Sequence, residues 1–328
     1  MNSKISWNTQ KRTMAFEIRR YNKTSNQEEW NQFVALSKQG TFLLNRLYMD
    51  YHSDRFTDHS LMIWKDGKLY AILPGNQSGQ TFYSHQGLTY GSLLTTGKAS
   101  AKDVCDIFVA INSYLQSEGF QKVVYKAIPW IYQQIPAEED LYAIVKECHA
   151  QLTVRNIASV IDMSQPPKWS RDRHYGANKA RTEGIIAEES NDFAAFWKIL
   201  EDNLMLTYQA KPVHSLEEIL LLKSRFPEQI RLYVAKLGEE ILGGSLLYIT
   251  PQVVHSQYIS ATPKGKHMHA IDAIFRKILQ EDYKNCKYFD FGTSNEEGGK
   301  VLNTSLIYQK EGFGGRGVVY DTYEWSLL

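Results

Sequence analysis

Two charged residues stand out in the stretch FDFGTSNEEGGKVLNTSLIYQKEGFGG, which runs from Phe289 to Gly315. Asp290 lies in the apolar run YFDF, which predicts a buried strand, and Lys310 shares a helical stripe with Leu306 and Ile307. A lysine on such a stripe can extend its ammonium group to solvent, or it can point the charge into a cleft. In a cleft, the ammonium group would hold a phosphate or stabilise a developing oxyanion.

Asp290 and Asn303 each allow a structural and a functional interpretation. A carboxylate in a central strand needs a partner, so Asp290 is either an ion-paired structural residue or a general base for an attacking amine. Asn303 is in the position of an N-cap for a helix that ends before Gly312. Its amide could also face a substrate.

A second group of polar residues lies in the run QVVHSQYIS and in the segment before SLEE. Strict alternation puts His255 and Tyr258 on opposite faces of one strand, although a β-bulge would relax that constraint. His214 precedes a helical segment, where a turn residue is the simpler interpretation.

Basic residues occur at two predicted helix starts. Lys264, Gly265 and Lys266 open the helix in TPKGKHMHAIDAIF, where free backbone N–H groups could bind an anion. Arg173 and Arg181 belong to RDRHYGANKAR, which is either a solvated basic face or a contact for a nucleotide-linked sugar or tRNA phosphate.

No metal site is expected from the sequence. His267 and His269 are two residues apart, which does not place them side by side on a helix. The three cysteines are scattered without a CxxC spacing.

Composition excludes several classes of protein. The 328 residues are 43% hydrophobic and 22% charged, with a formal net charge of +1, which is typical of a globular protein and gives no bulk attraction to nucleic acid. No apolar run approaches the roughly 18 residues of a membrane span. Residues 1–13 are polar and lack the apolar core of a signal peptide, so we expect a disordered extension and a cytoplasmic protein.

The two halves of the chain repeat one order of elements. Strand, helix, three-strand meander, helix, strand, helix and strand follow one another in residues 16–162, and again about 165–170 residues later. The segment QPPKWS supplies a Pro-Pro linker between them. The sequence therefore predicts two α/β domains, residues 14–165 and 171–328, with the active site in the second and at its junction with the first.

This order of elements resembles that of the GNAT acyltransferases, and specific segments resemble their FemAB-like branch. The segments are KPVHSLEE, VVHSQYIS, YFDFGTSNE, LNTSLIYQKEGFGG and the closing YDTYEW. The resemblance implies an α/β fold class of two tandem GNAT-like domains, each a mixed, mostly antiparallel sheet flanked by helices. It also implies transfer of an acyl or aminoacyl group to an amine, for example of a cell-envelope or sugar-linked precursor.

The resemblance also implies roles for individual residues. Lys310 matches a lysine that faces the donor end of the site in FemAB-like proteins, and His214 becomes a candidate acceptor contact. Asp290, His255 and Tyr258 complete the predicted catalytic group.

The donor stays open between acyl-coenzyme A and aminoacyl-tRNA. The coenzyme A turn of GNAT enzymes is matched at Gly265 alone, since Thr262 and His267 occupy its other positions. Against a tRNA donor, the second domain lacks an evident helical-hairpin insertion. The alternative function is a catalytically degenerate GNAT-like binding protein.

Overall fold

A computed structural model describes residues 16–327, so the predicted extension of residues 1–13 lies outside the described part of the chain. We call residues 16–165 the N-terminal half and residues 166–327 the C-terminal half. The strands are β1 (Glu17–Arg20), β2 (Thr57–Asp58), β3 (Leu61–Lys65), β4 (Lys68–Leu73), β5 (Asn76–Ser78), β6 (Thr81–Tyr83), β7 (Leu94–Thr95), β8 (Lys122–Lys126), β9 (Gln151–Asp162), β10 (Ile186–Ser190), β11 (Ile230–Leu237), β12 (Glu240–Ile249), β13 (Val253–Ala261), β14 (Tyr288–Thr293), β15 (Asn295–Glu296), β16 (Val301–Leu302) and β17 (Arg316–Ser326). The helices are α1 (Lys23–Leu36), α2 (Arg46–Met49), α3 (Ala101–Ser117), α4 (Glu139–Cys148), α5 (Arg171–Thr182), α6 (Phe193–Tyr208), α7 (Leu216–Arg225), α8 (Pro263–His267), α9 (Ala270–Arg276) and α10 (Thr304–Gly312).

Local sequence signals explain where the principal helices begin. Ser100 and Asp103 form a reciprocal capping box at the start of α3. The Asn303 side chain accepts the Leu306 N–H at 2.9 Å, which confirms the predicted N-cap of α10. The basic segment that starts at Arg171 forms α5, a helix that the repeated element order did not include.

The strands form one large sheet and one smaller sheet. Eleven strands pair in the order β10-β11-β12-β13-β14-β9-β17-β8-β6-β5-β2, and β1-β3-β4-β7 form the second sheet. Most pairs are antiparallel, whereas β13 with β14 and β6 with β8 are parallel. Both halves therefore contain a mixed, mostly antiparallel arrangement of strands.

The halves are joined because each gives its last long strand to the other. Strand β9 of the N-terminal half pairs with β14, and β17 of the C-terminal half pairs with β8. The two exchanged strands also pair with each other along Arg316–Glu324. The expectation of a separate sheet for each half therefore needs correction, because this pairing covers strand edges that two separate sheets would leave open. The boundaries at residues 14–165 and 171–328 stay a prediction.

Three apolar cores surround the large sheet. Helices α3 and α4 pack on one face in the N-terminal half, and α5 and α9 pack on one face in the C-terminal half. The third core lies between the halves and includes Tyr48, Tyr132, Tyr248 and Tyr320. Many of its aromatic residues carry hydroxyl groups, so the junction of the halves is both apolar and hydrogen-bonded.

The position of β17 leads to a specific prediction about the stability of the protein. Trp325 is buried in the N-terminal core against Phe108 and Tyr125, and its indole N–H donates to Asn112 Oδ1 at 3.1 Å. We expect Trp325→Ala to lower the free energy of unfolding by about 3–5 kcal/mol. Because the halves share one sheet, denaturant unfolding should stay a single transition. Tyr142→Ala, at an exposed site on α4, is the control and should change stability by less than about 0.5 kcal/mol. Two separate transitions, with only one shifted, would contradict the shared-sheet interpretation.

Candidate active site

A polar cavity opens where the parallel strands β13 and β14 separate. The strands pair as far as His255 and Asp290, and the register of β14 with β9 then shifts before Thr293. Gly292, with φ of 74°, allows this change of direction. The cavity measures about 360 Å³ and is lined by Thr89, His255, Ser256, Gln257, Ile259, Phe291, Gly292, Thr293, Leu306, Lys310 and Tyr320.

A β-bulge in β13 changes which side chains share a face. His255 pairs with Tyr248, and Tyr258 pairs with Leu246, so Gln257 between them is the extra residue. Since Tyr248 and Leu246 are two residues apart, His255 and Tyr258 lie on the same face of the sheet. The bulge thus removes the constraint that strict alternation placed on these two residues.

The carboxylate of Asp290 is completely buried and accepts four hydrogen bonds. Its Oδ2 accepts from Tyr320 at 2.5 Å, from Tyr132 at 2.9 Å and from His255 Nδ1 at 2.9 Å. Its Oδ1 accepts from the Gly292 N–H at 2.7 Å. Burial alone would raise the pKa of Asp290, but His255 and these hydrogen bonds outweigh it and hold the pKa below its usual value. Asp290 is therefore an anion inside the protein.

The Asp290 anion determines which nitrogen of the His255 ring carries a hydrogen. An ionised carboxylate can only accept, so Nδ1 carries the hydrogen and donates it to Asp290. Nε2 of a neutral ring then keeps its lone pair, and the ring lines the cavity. The arrangement can accept a proton from a group bound in the cavity.

Lys310 also lines the cavity. Its Nζ donates to the carbonyl oxygens of Gly292 at 2.9 Å and Thr293 at 2.7 Å, which leaves one of its three hydrogens for a ligand. Burial lowers the pKa of Lys310 to about 8, although the charge of Asp290 opposes this shift. At neutral pH the cavity therefore contains the Lys310 cation as well as the His255 imidazole ring.

His214 and Tyr258 form a second pair at the junction of the halves. The Tyr258 hydroxyl lies 2.7 Å from His214 Nδ1, and the His214 ring stacks on Tyr51 at 5.6 Å. Tyr51 in turn stacks on His52, which lies 5.3 Å from His85. Neither His214 nor Tyr258 belongs to the lining of the cavity.

Three of the other predicted site residues lie outside the lining of the cavity, and two of them have protein partners. The Asn303 amide donates to Glu296 at 2.7 Å, in addition to its cap contact. Arg173 binds Asp272 at 2.9 Å and lies over the Phe313 ring. Arg181 is exposed on α5.

The predicted anion site around α8 has its groups occupied by protein partners. Lys264 pairs with Glu240 at 2.5 Å, and Lys266 donates to Asn203 at 2.6 Å. The Gly265 N–H donates to Thr262 Oγ1 at 2.9 Å, and a Cβ at Gly265 would meet the Leu242 carbonyl oxygen at 2.1 Å. This glycine lets α8 pack on β12. The two lysine side chains and the Gly265 N–H thus each have a protein partner.

Sequence reasoning missed three residues of the site. Tyr320 opens the closing YDTYEW motif, so the signal was present but was not assigned to a role. Tyr132 and Thr89 come from the N-terminal half, and no motif marks either of them. Their contribution depends on how the halves pack together.

The corresponding cleft of the N-terminal half is closed. Strands β6 and β8 pair in parallel as far as Tyr83 and Val124, like β13 and β14. Beyond that point, the Ser84 N–H donates to the Val124 carbonyl, and Gly91 bridges to Lys126. The chain's own loop therefore occupies the position where the C-terminal half has its cavity.

Comparisons with known proteins agree with this geometry. Residues 170–297 match the family described as an acetyltransferase (GNAT) domain. The crystal structure of FemX superposes with a TM-score of 0.66 at 9% identity, covering 94% of this chain and 97% of that chain. The chain shares the overall fold of FemX.

Two further solved structures share this fold. L-PGS from Bacillus licheniformis has a TM-score of 0.57 at 14% identity over 91% of each chain. A conserved protein of unknown function from Bacteroides thetaiotaomicron has a TM-score of 0.61 at 10% identity, covering 95% of this chain and all of that chain. Among curated proteins, none is significantly similar in sequence. The fold class and the resemblance inferred from sequence are confirmed.

The described residues contain neither a membrane-spanning helix nor a metal-binding cluster. Across residues 16–327, no helix has both the length and the apolar character to cross a membrane. In the same residues, no group of three or more His, Cys, Asp or Glu side chains could hold a metal ion.

Because several histidines are buried at the junction of the halves, we expect the folded protein to lose stability in acid. Burial lowers the pKa of His52 and His214 to about 4 and that of His85 to about 3. In the unfolded chain these histidines bind protons at about pH 6.5, whereas in the folded protein they do so only at lower pH. The free energy of unfolding should therefore fall as the pH drops from 6.5 towards 4.

Replacement of one of these histidines tests that prediction. We expect His52→Gln to remove on the order of 1–2 kcal/mol of the stability difference between pH 7 and pH 5, measured by denaturant unfolding. His267→Gln, at an exposed position, is the control. The same pH dependence in His52→Gln as in the unaltered protein would show that His52 is protonated as readily in the folded state.

Proposed function

We propose that the protein is an N-acyltransferase whose cavity between β13 and β14 joins an activated acyl or aminoacyl group to a primary amine. The observation that carries this proposal is that His255 and Lys310 both line one small cavity. His255 presents a basic nitrogen whose tautomer is fixed by Asp290, and Lys310 presents a cation. Acyl transfer to an amine needs a proton acceptor and a stabilised oxyanion.

The proposed steps assign one task to each group. The amine nitrogen attacks the acyl carbonyl carbon while His255 Nε2 takes a proton from that nitrogen. The remaining hydrogen of Lys310 donates to the oxyanion. When the carbonyl re-forms, the bond to the oxygen or sulfur of the donor breaks, and the imidazolium returns its proton to that leaving group. Asp290 acts as a positioning residue, because it has no exposed atom with which to reach an amine.

The residues around α8 support one donor over the other. Since the groups of Lys264, Gly265 and Lys266 are engaged by other residues, the turn gives little support for coenzyme A. We therefore place an aminoacyl ester, such as aminoacyl-tRNA, ahead of an acyl-coenzyme A thioester. The acceptor that we propose is an amine of a small molecule or a cell-envelope precursor.

A donor panel tests the proposed function. The purified protein would be incubated with acetyl-coenzyme A or with a mixture of aminoacyl-tRNAs, together with a lysyl peptide or glucosamine phosphate. We expect amide formation, followed by mass spectrometry, with at least one donor. If no donor yields an amide while an amine still binds, the chain is instead a binding protein that has the fold without the chemistry.

A substitution of Lys310 separates its chemical role from its structural role. Methionine keeps the stem but leaves the carbonyls of Gly292 and Thr293 without a donor, so we expect Lys310→Met to lose about 1–3 kcal/mol of stability. Turnover should fall by about a hundred- to a thousandfold, as for the loss of an oxyanion donor.

Lys223 provides a matched control for this experiment. Its Nζ also donates to two backbone carbonyls, of Pro227 and Ile230, each at 2.8 Å, and burial lowers its pKa as well. Lys223→Met should cost similar stability and leave turnover within about threefold. Equal turnover in the two variants would mean that Lys310 is a structural lysine only.

A further inference from the structure

The N-terminal half contributes Thr89 to the cavity. Among the described lining residues, the other ten lie after residue 250. Leu88 and Tyr90 on either side of Thr89 are buried, whereas Thr89 itself is exposed. Thr89 is thus the one residue of the N-terminal half in the described lining of the cavity, and its side chain carries a hydroxyl group.

The segment that carries Thr89 is held by a half-buried lysine. Lys126 Nζ donates to the carbonyl oxygens of Gln86 at 3.0 Å and Leu88 at 2.8 Å. The Lys126 carbonyl accepts the Gly91 N–H at 2.9 Å. Lys126 therefore fixes the segment 84–91 on both sides of Thr89.

Two further contacts restrict the same segment. The Gln86 N–H donates to Asn76 Oδ1 at 2.7 Å, and the Asn76 amide returns a hydrogen bond to Gln86 Oε1 at 2.8 Å. The Tyr90 ring packs 4.9 Å from that of Tyr132, which donates to Asp290. A backbone segment held this firmly suits recognition, because little conformational entropy of the segment is lost when a ligand binds it.

We propose that the segment 84–91 selects the amine acceptor, with Thr89 as the contacting residue and Lys126 as its positioning residue. This inference rests on the proposed function. In the described lining of the cavity there is no carboxylate, and Lys310 is its one lysine or arginine. The part of the acceptor beside Thr89 is therefore a neutral hydrogen-bonding group, such as an amide or a hydroxyl next to the reacting amine.

Removal of the hydroxyl tests the contact. Thr89→Val keeps the shape of the side chain, and Thr57→Val, on the exposed edge strand β2, is the matched control. The probes are Nα-acetyl-lysine amide, which carries amide groups, and butylamine, which carries none. We expect the KM for the amide-bearing amine to rise about three- to tenfold in Thr89→Val, with kcat within twofold and the KM for butylamine unchanged. The same KM values in Thr89→Val and Thr57→Val would overturn the assignment.

Hydrogen exchange tests the positioning role without any substrate. In Lys126→Met, the amides of residues 84–91 should exchange at least about tenfold faster than in the unaltered protein, while those of β13 and β14 keep their rates. The KM for the amide-bearing amine should rise as in Thr89→Val. Unchanged exchange in the segment would overturn the role of Lys126. Failure of the proposed function shows differently, as absence of transfer by the unaltered protein, and leaves the exchange result decisive for Lys126.

Discussion

The buried carboxylate of Asp290 is the interaction on which the site and the junction of the halves both depend. A charge without exposed surface is costly unless hydrogen bonds replace the water it has lost, and here four donors do so. They come from the N-terminal half through Tyr132, from the exchanged strand through Tyr320, and from β13 and β14 themselves. Any rearrangement that separated the halves would remove donors from this anion and leave its charge poorly compensated.

This dependence explains why the cavity forms where it does. The parallel pairing of β13 with β14 ends at His255 and Asp290, so the residues that close the ladder also begin the cavity. The bulge at Gln257 and the left-handed Gly292 then let the strands separate. In the N-terminal half, the loop that follows β6 bridges the corresponding parallel pair, β6 and β8. Lys126 holds that loop in place. One half is thus open for binding, and the other provides a rigid wall.

Much of this arrangement could be predicted from local sequence. The apolar stripe that includes Lys310, the strand containing Asp290 and the N-cap at Asn303 depend on residues near one another in the chain, and all three elements are present. The strand exchange could not be predicted, because the pairing partner of β17 is set by contacts about two hundred residues apart. Tyr132 and Thr89 were missed for the same reason. The roles of His214 and Arg173 also depended on neighbours that spacing does not reveal, since His214 packs against Tyr51 and Arg173 binds Asp272.

The central claim is that the Asp290 anion fixes a hydrogen of His255 on Nδ1. The most direct measurement is the ¹⁵N NMR spectrum of protein labelled at histidine, recorded at neutral pH, with the His255 signals assigned by their loss in His255→Gln. The structure predicts that Nδ1 carries hydrogen and donates it to Asp290. Hydrogen on Nε2 with Nδ1 unprotonated would contradict it, because Nδ1 would then accept a hydrogen bond and Asp290 would have to be the protonated acid.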